Sequence, residues 1–591
     1  MNASPGTPSP GISSSGISSP GTASPAASGH ATSGPGAPGW ATASPGTPSS
    51  GTSAAADGGT QARRGFLRLA GAVTVAGALA PPLFSSQHGG LATERRAALA
   101  ARTRPAWLAS PGVRGPTTAD WEALRRQLST HRLIRPGQSG YGLARQLYDP
   151  RFDDLTPTGI AYCRTPADVA ACLSFATRFG LRPRPRSGGH SYAGWSSGDG
   201  DLIVDVSQLD SFSAGRGTVT VGTGLPLINF YQRLAAYGLA VPGGSCPTVG
   251  IAGLTLGGGV GILGRLYGLT SDNLTSLQIV TANGSVLTCD GARNSDLFWA
   301  CRGGGGGNFG VVTSFTFRSH QLRQLILFGA SWPWSQAARV VSAWQSWAPF
   351  APDALWSNLV LSCPAGGSPT IQVGGSYVGS VSGAARLLNE LYARVGSGPT
   401  RHNLLVESFL NAMLLDAGCY NLSVAQCHTR PGGRLPRVPS YAKSDFFTTK
   451  LDAAGIRTLL SGVERMRGVR GTPGGVGAIA FDAFGGAINR VGANATAFVH
   501  RNALYDAQYS TSWTYPGSAR GVANQHAWLR SYYASLHPHA SGQAYQNYID
   551  PDLTNWRQAY YGANYSRLSQ VKAKYDPKML FNFPQAITPP G

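Results

Sequence analysis

The 591-residue chain is poor in charge and especially poor in lysine. Charged residues make up 13 % of it, and only five of its 48 basic residues are lysines. The net charge of +21 therefore comes mainly from arginines that are scattered along the chain rather than gathered in one segment. A nucleic-acid-binding protein concentrates its basic residues in a patch or an arm. We therefore expect no nucleic-acid partner.

Long apolar runs and metal-type spacings are also missing. No run reaches the roughly 18 apolar residues that a membrane-spanning helix requires. The eight cysteines and eleven histidines show no spacing typical of a metal site. Glycine (79) and proline (40) are abundant but lack a collagen period. Since 42 % of the residues are hydrophobic, the sequence still predicts a large folded core.

The N-terminal part of the sequence is typical of a targeting segment rather than of a folded domain. Residues 1–60 are almost entirely Ser, Gly, Pro, Ala and Thr, which predicts a disordered leader. Arg63-Arg64 then precedes an apolar run, 69–80, that is too short to span a membrane. This arrangement resembles a twin-arginine export signal. We assign 61–84 to the signal and 85–115 to a linker, and expect a secreted protein without stable membrane insertion.

Periodicity and capping residues predict a mixed α+β fold from residue 116 onward. Thr165 and Pro166 are typical of a helix start, and Asn283-Gly284 predicts a type I′ hairpin between 277–281 and 286–288. The predicted helices cover 166–179, 226–237, 383–395 and 454–467, and the other predicted strands include 202–206, 219–221, 311–317, 371–378 and 496–500. The alternation of strands and helices up to 320 gives way to a second domain, 321–540, with an antiparallel sheet and helices.

Two glycine-rich segments are candidates for a cofactor site. The run Arg-Ser-Gly-Gly-His-Ser-Tyr, 186–192, can turn backbone N–H groups toward a phosphate. It lacks the spacing of a P-loop or a dinucleotide fingerprint, and taken alone it is better explained by a tight turn with a surface histidine. The second segment, 243–261, places Cys246 in a polar turn, where a buried structural thiol is not expected.

Together these residues resemble the berberine bridge enzyme-like flavin oxidases, which share the FAD fold of vanillyl-alcohol oxidase and p-cresol methylhydroxylase. The resemblance is carried by 186–190, 244–250, 257–261 and 267–273, and it continues in 298–304, 308–311, 547–550, 561–565 and 583–585. It covers about 145–590. It implies a two-lobed FAD-binding domain over 116–320, a substrate domain over 321–540 and a C-terminal segment, 541–591, that returns to the FAD domain.

The resemblance also implies a bicovalent FAD. His190 corresponds to the residue that bonds the flavin 8α-methyl group, and Cys246 to the residue that bonds C6. Val249 occupies the position that controls oxygen access, where valine accompanies oxidases, whereas Leu254 replaces a histidine found in many members. The other positions expected to bind FAD are Arg186, Ser187, Gly188, Gly189, Ser191, Gly250, Gly253, Gly257, Gly258, Gly261 and Asn564.

On the substrate side the resemblance places Tyr548 over the flavin as a catalytic base. An unperturbed tyrosine has a pKa of about 10, so it needs a cation or strong hydrogen bonds to act near neutral pH. Tyr545 is the alternative base, although an aromatic core stripe explains it equally well, and Asp482 is a candidate to assist. Candidate substrate contacts are Tyr505, Gln508 and Tyr509.

These features predict an FAD-dependent oxidase that converts an alcohol, with a sugar or oligosaccharide favoured, and reduces dioxygen to hydrogen peroxide. Two alternatives stay open: a tailoring oxidase of a secondary metabolite, and a flavin-loaded binding protein without turnover. A nicotinamide-dependent reductase is disfavoured because Cys246 has no role in one. Cys419 and Cys427 can form a disulfide, and the remaining cysteines are expected to be buried thiols. The oligomeric state is left open.

Overall fold

A computed structural model describes residues 114–591. The predicted leader (1–60), the export signal (61–84) and nearly all of the linker (85–115) lie outside these residues. The helices are α1 (Thr118–Gln127), α2 (Tyr141–Ala144), α3 (Pro166–Arg178), α4 (Leu227–Ala235), α5 (Ile251–Leu256), α6 (Gly264–Tyr267), α7 (Ser295–Ala300), α8 (Ala337–Gln345), α9 (Val381–Val395), α10 (Phe409–Asp416), α11 (Ala453–Glu464), α12 (Ala519–Leu536), α13 (Trp556–Tyr561) and α14 (Tyr565–Tyr575).

The strands fall into two groups along the chain. Those of the first lobe are β1 (Leu133–Ile134), β2 (Gly159–Tyr162), β3 (Pro183–Arg186), β4 (Leu202–Asp205), β5 (Phe212–Ala214), β6 (Thr218–Gly222), β7 (Leu239–Ala240), β8 (Leu274–Val280), β9 (Val286–Asp290), β10 (Val311–Arg318) and β11 (His320–Gln321). Those of the second lobe are β12 (Gln324–Trp332), β13 (Leu355–Pro364), β14 (Thr370–Tyr377), β15 (Arg401–Ser408), β16 (Ser440–Phe447), β17 (Val476–Ala483) and β18 (Tyr505–Ser512).

A mostly parallel sheet of four strands opens the first lobe, in the order β1-β2-β4-β3. Helix α3 packs on it through Val169 and Leu173, which are fully buried. The Thr165 hydroxyl accepts a hydrogen bond from Asp168 N, and the Asp168 carboxylate accepts one from Thr165 N. This capping box fixes the start of the helix where the sequence predicts it.

An antiparallel sheet of five strands follows, in the order β5-β6-β10-β8-β9. The predicted type I′ turn between β8 and β9 is wrong. That turn type needs positive φ at both central residues, but only Gly284 has it (φ 82°) and Asn283 does not. Thr281 pairs with Ser285 around a three-residue loop, and Gly284 N donates to Thr281 O.

The second lobe contains an antiparallel sheet of seven strands, in the order β15-β12-β14-β13-β17-β18-β16. Helices α8, α9, α11 and α12 cover one face of this sheet and bury a continuous apolar core. The opposite face is turned toward the first lobe. The prediction of an α+β fold whose second domain has an antiparallel sheet covered by helices is therefore confirmed.

The C-terminal segment packs against the first lobe. Lys572 of α14 is fully buried and donates to Asn308 O, Asp576 Oδ2 and Phe581 O at 2.6–2.8 Å. The predicted strand 496–500 is wrong. These residues form a loop, in which Phe498 N donates to Arg302 O.

The eight cysteines fall into three groups: one disulfide pair, five buried thiols and one partly exposed thiol. Cys419 and Cys427 form a disulfide. Five other thiols are buried, whereas Cys246 is partly exposed. Within residues 114–591, no helix has the length and apolar character needed to cross a membrane.

Candidate active site

A cavity of about 330 Å³ lies where the two lobes and the C-terminal segment meet. The glycine-rich loops of the first lobe, within 184–192 and 244–262, form one wall. The face of the seven-stranded sheet that carries no helices forms another. Residues within 305–312, 545–549 and 581–585 contribute further lining. The cavity thus joins the residues expected to bind a cofactor to those expected to meet a substrate.

The two glycine-rich loops touch each other through their backbones. A Cβ atom on Gly188 would collide with the backbone N of Gly250, and one on Gly250 would collide with Gly188 N. The first loop is held from behind, because Arg186 Nε pairs with Asp205 at 2.7 Å inside the protein. Glycine at both positions therefore lets the two loops reach the same cavity.

A side-chain hydrogen bond also joins the loops. His190 Nε2 lies 2.8 Å from Thr248 Oγ1, and the imidazole stacks on Tyr148 with ring centroids 4.0 Å apart. Burial lowers the pKa of His190 to about 3, so the ring is neutral at physiological pH. No described residue hydrogen-bonds Nδ1, which leaves one ring nitrogen available at the cavity.

Cys246 reaches the cavity two residues before Thr248. Tyr231 of α4 donates a hydrogen bond to Gly244 O at 2.7 Å and fixes the start of this loop. Burial, reinforced by the nearby Asp416 carboxylate, raises the pKa of Cys246 to about 11, although a hydrogen bond from Ser245 opposes the shift. The protein by itself therefore holds Cys246 as a thiol.

Tyr548 and Tyr545 differ in how their hydroxyl groups are used. Tyr545 is buried, and its hydroxyl oxygen accepts hydrogen bonds from Gly259 N (2.8 Å) and Asn547 Nδ2 (2.9 Å). Tyr548 stacks on Tyr192, and no described residue hydrogen-bonds its hydroxyl. Burial and nearby carboxylates raise the pKa of Tyr548 well above 10. The cation that such a base needs is not supplied by the described cavity wall.

Acidic and amide side chains form a row across the sheet wall. Asn358, Asp482 and Asp506 are directly opposite one another on β13, β17 and β18. Burial raises the pKa of Asp482 to about 7 and that of Asp506 well above its usual value. Asn358 Oδ1 and Asp506 Oδ2 are buried without hydrogen-bond partners. This wall offers acceptors to a ligand that brings donors.

Strand alternation corrects two of the predicted substrate contacts. Gln508 faces the cavity and donates to the Tyr192 hydroxyl at 2.6 Å. Tyr505 and Tyr509 point to the opposite face, into the helix-covered core, where their hydroxyls bond Gln345 and Asp445. Because side chains alternate along a strand, residues of odd and even number cannot share one face of β18.

Comparison with known proteins identifies the chain. A family model described as an FAD binding domain matches residues 157–290, and one described as berberine and berberine like matches 544–588. The FAD-linked oxidoreductase YgaK of Bacillus subtilis is 32 % identical over 78 % of this chain and 97 % of that protein. Berberine bridge enzyme-like D-1 of Nicotiana tabacum is 31 % identical over 69 % and 78 %, respectively.

The chain belongs to the berberine bridge enzyme-like family of FAD-linked oxidoreductases. Solved structures of this family agree: BBE-like 1 of Physcomitrella patens superimposes with a TM-score of 0.69 at 31 % identity, covering 79 % of this chain and 99 % of that one. Chitooligosaccharide oxidase gives a TM-score of 0.70 at 26 % identity over 80 % and 100 %. Xylooligosaccharide oxidase of Thermothelomyces thermophilus is 29 % identical over 73 % and 88 %. The predicted family and p-cresol methylhydroxylase-type fold are thereby confirmed.

The cavity of this family member fits FAD. A Cβ atom on Gly253 would meet nothing within 4 Å, and one on Gly306 only Gly253 Cα, so bare backbone faces open space. Several polar atoms that line the cavity are buried without partners, among them Gln546 Oε1, Gln585 Oε1 and Arg186 Nη1. Such atoms are expected where a polar cofactor supplies the missing hydrogen bonds.

Most residues predicted to bind FAD lie along this cavity. They are Arg186, Ser187, Gly188, Gly189, His190, Ser191, Cys246, Val249, Gly250, Gly253 and Gly261. Three others do not line it. Gly257 abuts Asn547, Gly258 abuts Phe498, and Asn564 Nδ2 donates to Ala493 O at 2.8 Å. These three hold the C-terminal segment and the 493–498 loop in place, which corrects their assignment as cofactor contacts.

Sequence reasoning missed two carboxylates: Asp416, which lines the cavity, and Asp506, which lies opposite the lining residue Asp482 on the sheet. Asp506 could have been found by applying strand alternation to β18, since it has the same parity as Gln508. Asp416, at the end of α10, carries no local sequence signal, because only the packing of α10 on α4 brings it to the cavity. Within the described residues, no group of three or more His, Cys, Asp or Glu side chains could hold a metal ion.

Proposed function

We propose that this chain is a secreted oxidase that holds FAD through both His190 and Cys246. It oxidises an alcohol group of a sugar or oligosaccharide and uses dioxygen as the electron acceptor, giving hydrogen peroxide. The supporting observation is the single cavity, which brings His190 and Cys246 together with a row of hydrogen-bond acceptors on the facing sheet. Bound FAD would supply the redox chemistry by taking up a hydride.

Three features of the glycine-rich loops support covalent attachment. His190 is neutral, and its Nε2 lies at hydrogen-bond distance from Thr248 Oγ1. In the tautomer whose Nε2 donates to Thr248, Nδ1 carries the lone pair needed to form a bond. Cys246 is the one partly exposed thiol among the free cysteines of the described chain. Gly188 and Gly250 allow the two loops to meet without intervening side chains.

The groups around Tyr548 indicate how the proton of the substrate hydroxyl is removed. Its phenol is not ionised at neutral pH, because burial and the carboxylates of Asp506 and Asp482 raise its pKa. Asp482 has a pKa of about 7 and is therefore partly ionised at neutral pH. We assign Tyr548 the contact with the substrate hydroxyl, and Asp482 the role of final proton acceptor.

The charges of the cavity favour a neutral substrate rich in hydroxyl groups. The lining arginines are Arg184 and Arg186, and each is ion-paired with an aspartate at 2.7 Å on the first-lobe side. The sheet wall therefore offers carboxylates and amide oxygens with no opposing cation. Such a wall repels a carboxylate-bearing substrate and suits a sugar. Two relatives are named as oligosaccharide oxidases.

Val249 supports the choice of dioxygen as acceptor. It lines the cavity three residues after Cys246 and is partly exposed to it. A valine side chain is one carbon shorter than leucine and leaves space for a diatomic molecule there. We therefore expect Val249→Leu to slow reoxidation by dioxygen while leaving reduction by substrate largely unchanged.

Anaerobic bleaching of the flavin absorbance against a panel of sugars, alcohols and phenolic secondary metabolites tests the proposal. Bleaching by a mono- or oligosaccharide, followed by peroxide release when air is admitted, is the expected result. Bleaching only by phenolic or alkaloid compounds would instead identify a tailoring oxidase. Saturable sugar binding without any bleaching would identify a binding protein and overturn the assignment of turnover.

A further inference from the structure

Asp416 is a carboxylate that lines the same cavity as Cys246. It is the last residue of α10, and the Cys419–Cys427 disulfide follows directly. Helix α10 packs on α4, which carries Tyr231 and fixes the Cys246 loop through Gly244 O. Two packed helices thus hold the carboxylate and the thiol at one cavity.

The Asp416 carboxylate has unused capacity to accept a proton. Its Oδ2 atom is buried and has no hydrogen-bond partner. Asp168, an aspartate that caps helix α3, by contrast accepts hydrogen bonds from four groups. A buried, unpartnered carboxylate oxygen is costly, which points to a use at the cavity.

We propose that Asp416 accepts the thiol proton of Cys246 when Cys246 forms its bond to FAD. This inference rests on the bicovalent attachment proposed above. One S–C bond forms, while the thiol S–H bond and one flavin ring C–H bond break. The two hydrogens and two electrons released pass to dioxygen as hydrogen peroxide. Asp416 holds the thiol proton transiently and releases it, through solvent, to the peroxide that forms.

The ionisation of these groups is consistent with that role. Cys246, with a pKa of about 11, is not a thiolate at neutral pH and needs a base to become nucleophilic. Burial and the Asp482 carboxylate raise the pKa of Asp416 to about 7, which suits a base near neutral pH. The titratable groups that face Asp416 are Cys246, Tyr231 and Asp482.

The test measures attachment at Cys246 alone, in a His190→Ala background. Protein depleted of FAD is incubated with FAD in air, and the fraction carrying the flavin mass is followed by intact-mass spectrometry. Adding Asp416→Asn should slow attachment at neutral pH by roughly 10²-fold. Alkaline pH should restore the rate, because the Cys246 thiolate then forms without a base. A merely structural role would give no such rescue.

Two further variants keep the outcome interpretable. Glu390→Gln removes an exposed carboxylate on α9, away from the cavity, and should leave attachment within about threefold, whereas Asp416→Glu keeps a carboxylate at the cavity and should retain most of it. Equal attachment rates for Asp416→Asn and its parent, or slow attachment that alkaline pH does not rescue, would overturn the proposal. A parent that never attaches FAD through Cys246 would refute bicovalent binding itself, and with it this role.

Discussion

Tyr548 lies among carboxylates, and this setting decides how its hydroxyl can act. Tyr548→Phe keeps the stacking on Tyr192 and removes only the hydroxyl, to which we assign the contact with the substrate. Because general-base assistance is worth about 10²–10⁴-fold, we expect flavin reduction to slow by that factor, with flavin content and substrate affinity little changed. Stopped-flow absorbance under anaerobic conditions measures the rate. A rate within about threefold of wild type would place the base elsewhere.

Asp482 should set the pH dependence of the same step. Its raised pKa of about 7 means that the carboxylate is ionised above that pH and protonated below it. Flavin reduction should therefore rise with pH through an apparent ionisation near 7, and fall as the pH drops through it. Asp482→Asn should abolish this limb. If the limb persists in that variant, Asp416, with the same pKa, is the next residue to test.

His190 and Cys246 should each hold the flavin independently. Acid-precipitated wild-type protein is expected to stay yellow, and His190→Ala and Cys246→Ala should each retain flavin through the remaining bond. The double variant should release its flavin into the supernatant. Absorbance of pellet and supernatant distinguishes these outcomes, and Cys363→Ala, which removes a buried thiol that does not line the cavity, serves as control. Complete release from wild type would exclude covalent attachment.

At the level of single elements, sequence patterns succeed where the determinants are local. Helix α3 begins at Pro166 because Thr165 and Asp168 form a capping box within four residues. The turn type predicted between β8 and β9 is wrong because Thr281 pairs with Ser285. This pairing makes the loop three residues long, one more than the Asn-Gly pair alone indicates. The strand predicted over 496–500 is wrong because its apolar residues pack against other segments instead of pairing in a sheet.

Helix α6 supplies a contact between the lobes that no local pattern indicates. Arg265 is 1 % exposed, and it donates to the carbonyl oxygens of Leu355 and Pro349 at 2.8 Å and to those of Ala351 and Phe484. Burial lowers the pKa of Arg265 to about 10. The guanidinium can serve four acceptors because its donors point in fixed, divergent directions.

Arg265→Lys should destabilise the protein, because an ammonium cannot reach all four carbonyls. Leaving buried acceptors without donors predicts a free energy of unfolding lower by about 2–4 kcal/mol, measurable as a lower urea midpoint. Arg386→Lys on α9 is the matched control. Its partner Glu390 and its own side chain are exposed, so the change should stay within about 0.5 kcal/mol. Equal urea midpoints for the two variants would show that the hydrogen bonds of Arg265 between the lobes do not stabilise the protein.

For the whole molecule, the site is assembled from segments far apart in sequence. The cavity joins residues near 190, 246, 482 and 548, and the C-terminal segment reaches it because Lys572 anchors that segment to Asn308. Periodicity predicts the individual elements but not this assembly. The family resemblance, carried by combined short motifs, predicts which loops meet. Asp416 lies outside those motifs, so its position became evident only from the packing of α10 on α4.

Export of a folded, cofactor-loaded protein is the prediction that concerns the chain as a whole. Arg63-Arg64 and the apolar run 69–80 resemble a twin-arginine signal, and that route carries proteins that have already folded. It suits a chain whose FAD would be enclosed between two lobes. Replacing both arginines with lysine should leave flavin-loaded precursor in the cytoplasm, detected by immunoblotting of fractions and by bound flavin absorbance. Arg95 and Arg96 form a second arginine pair beyond the apolar run, so lysines at those two positions are the matched control and should leave export unchanged. Undiminished secretion of the Arg63→Lys, Arg64→Lys chain would show that another route exports it.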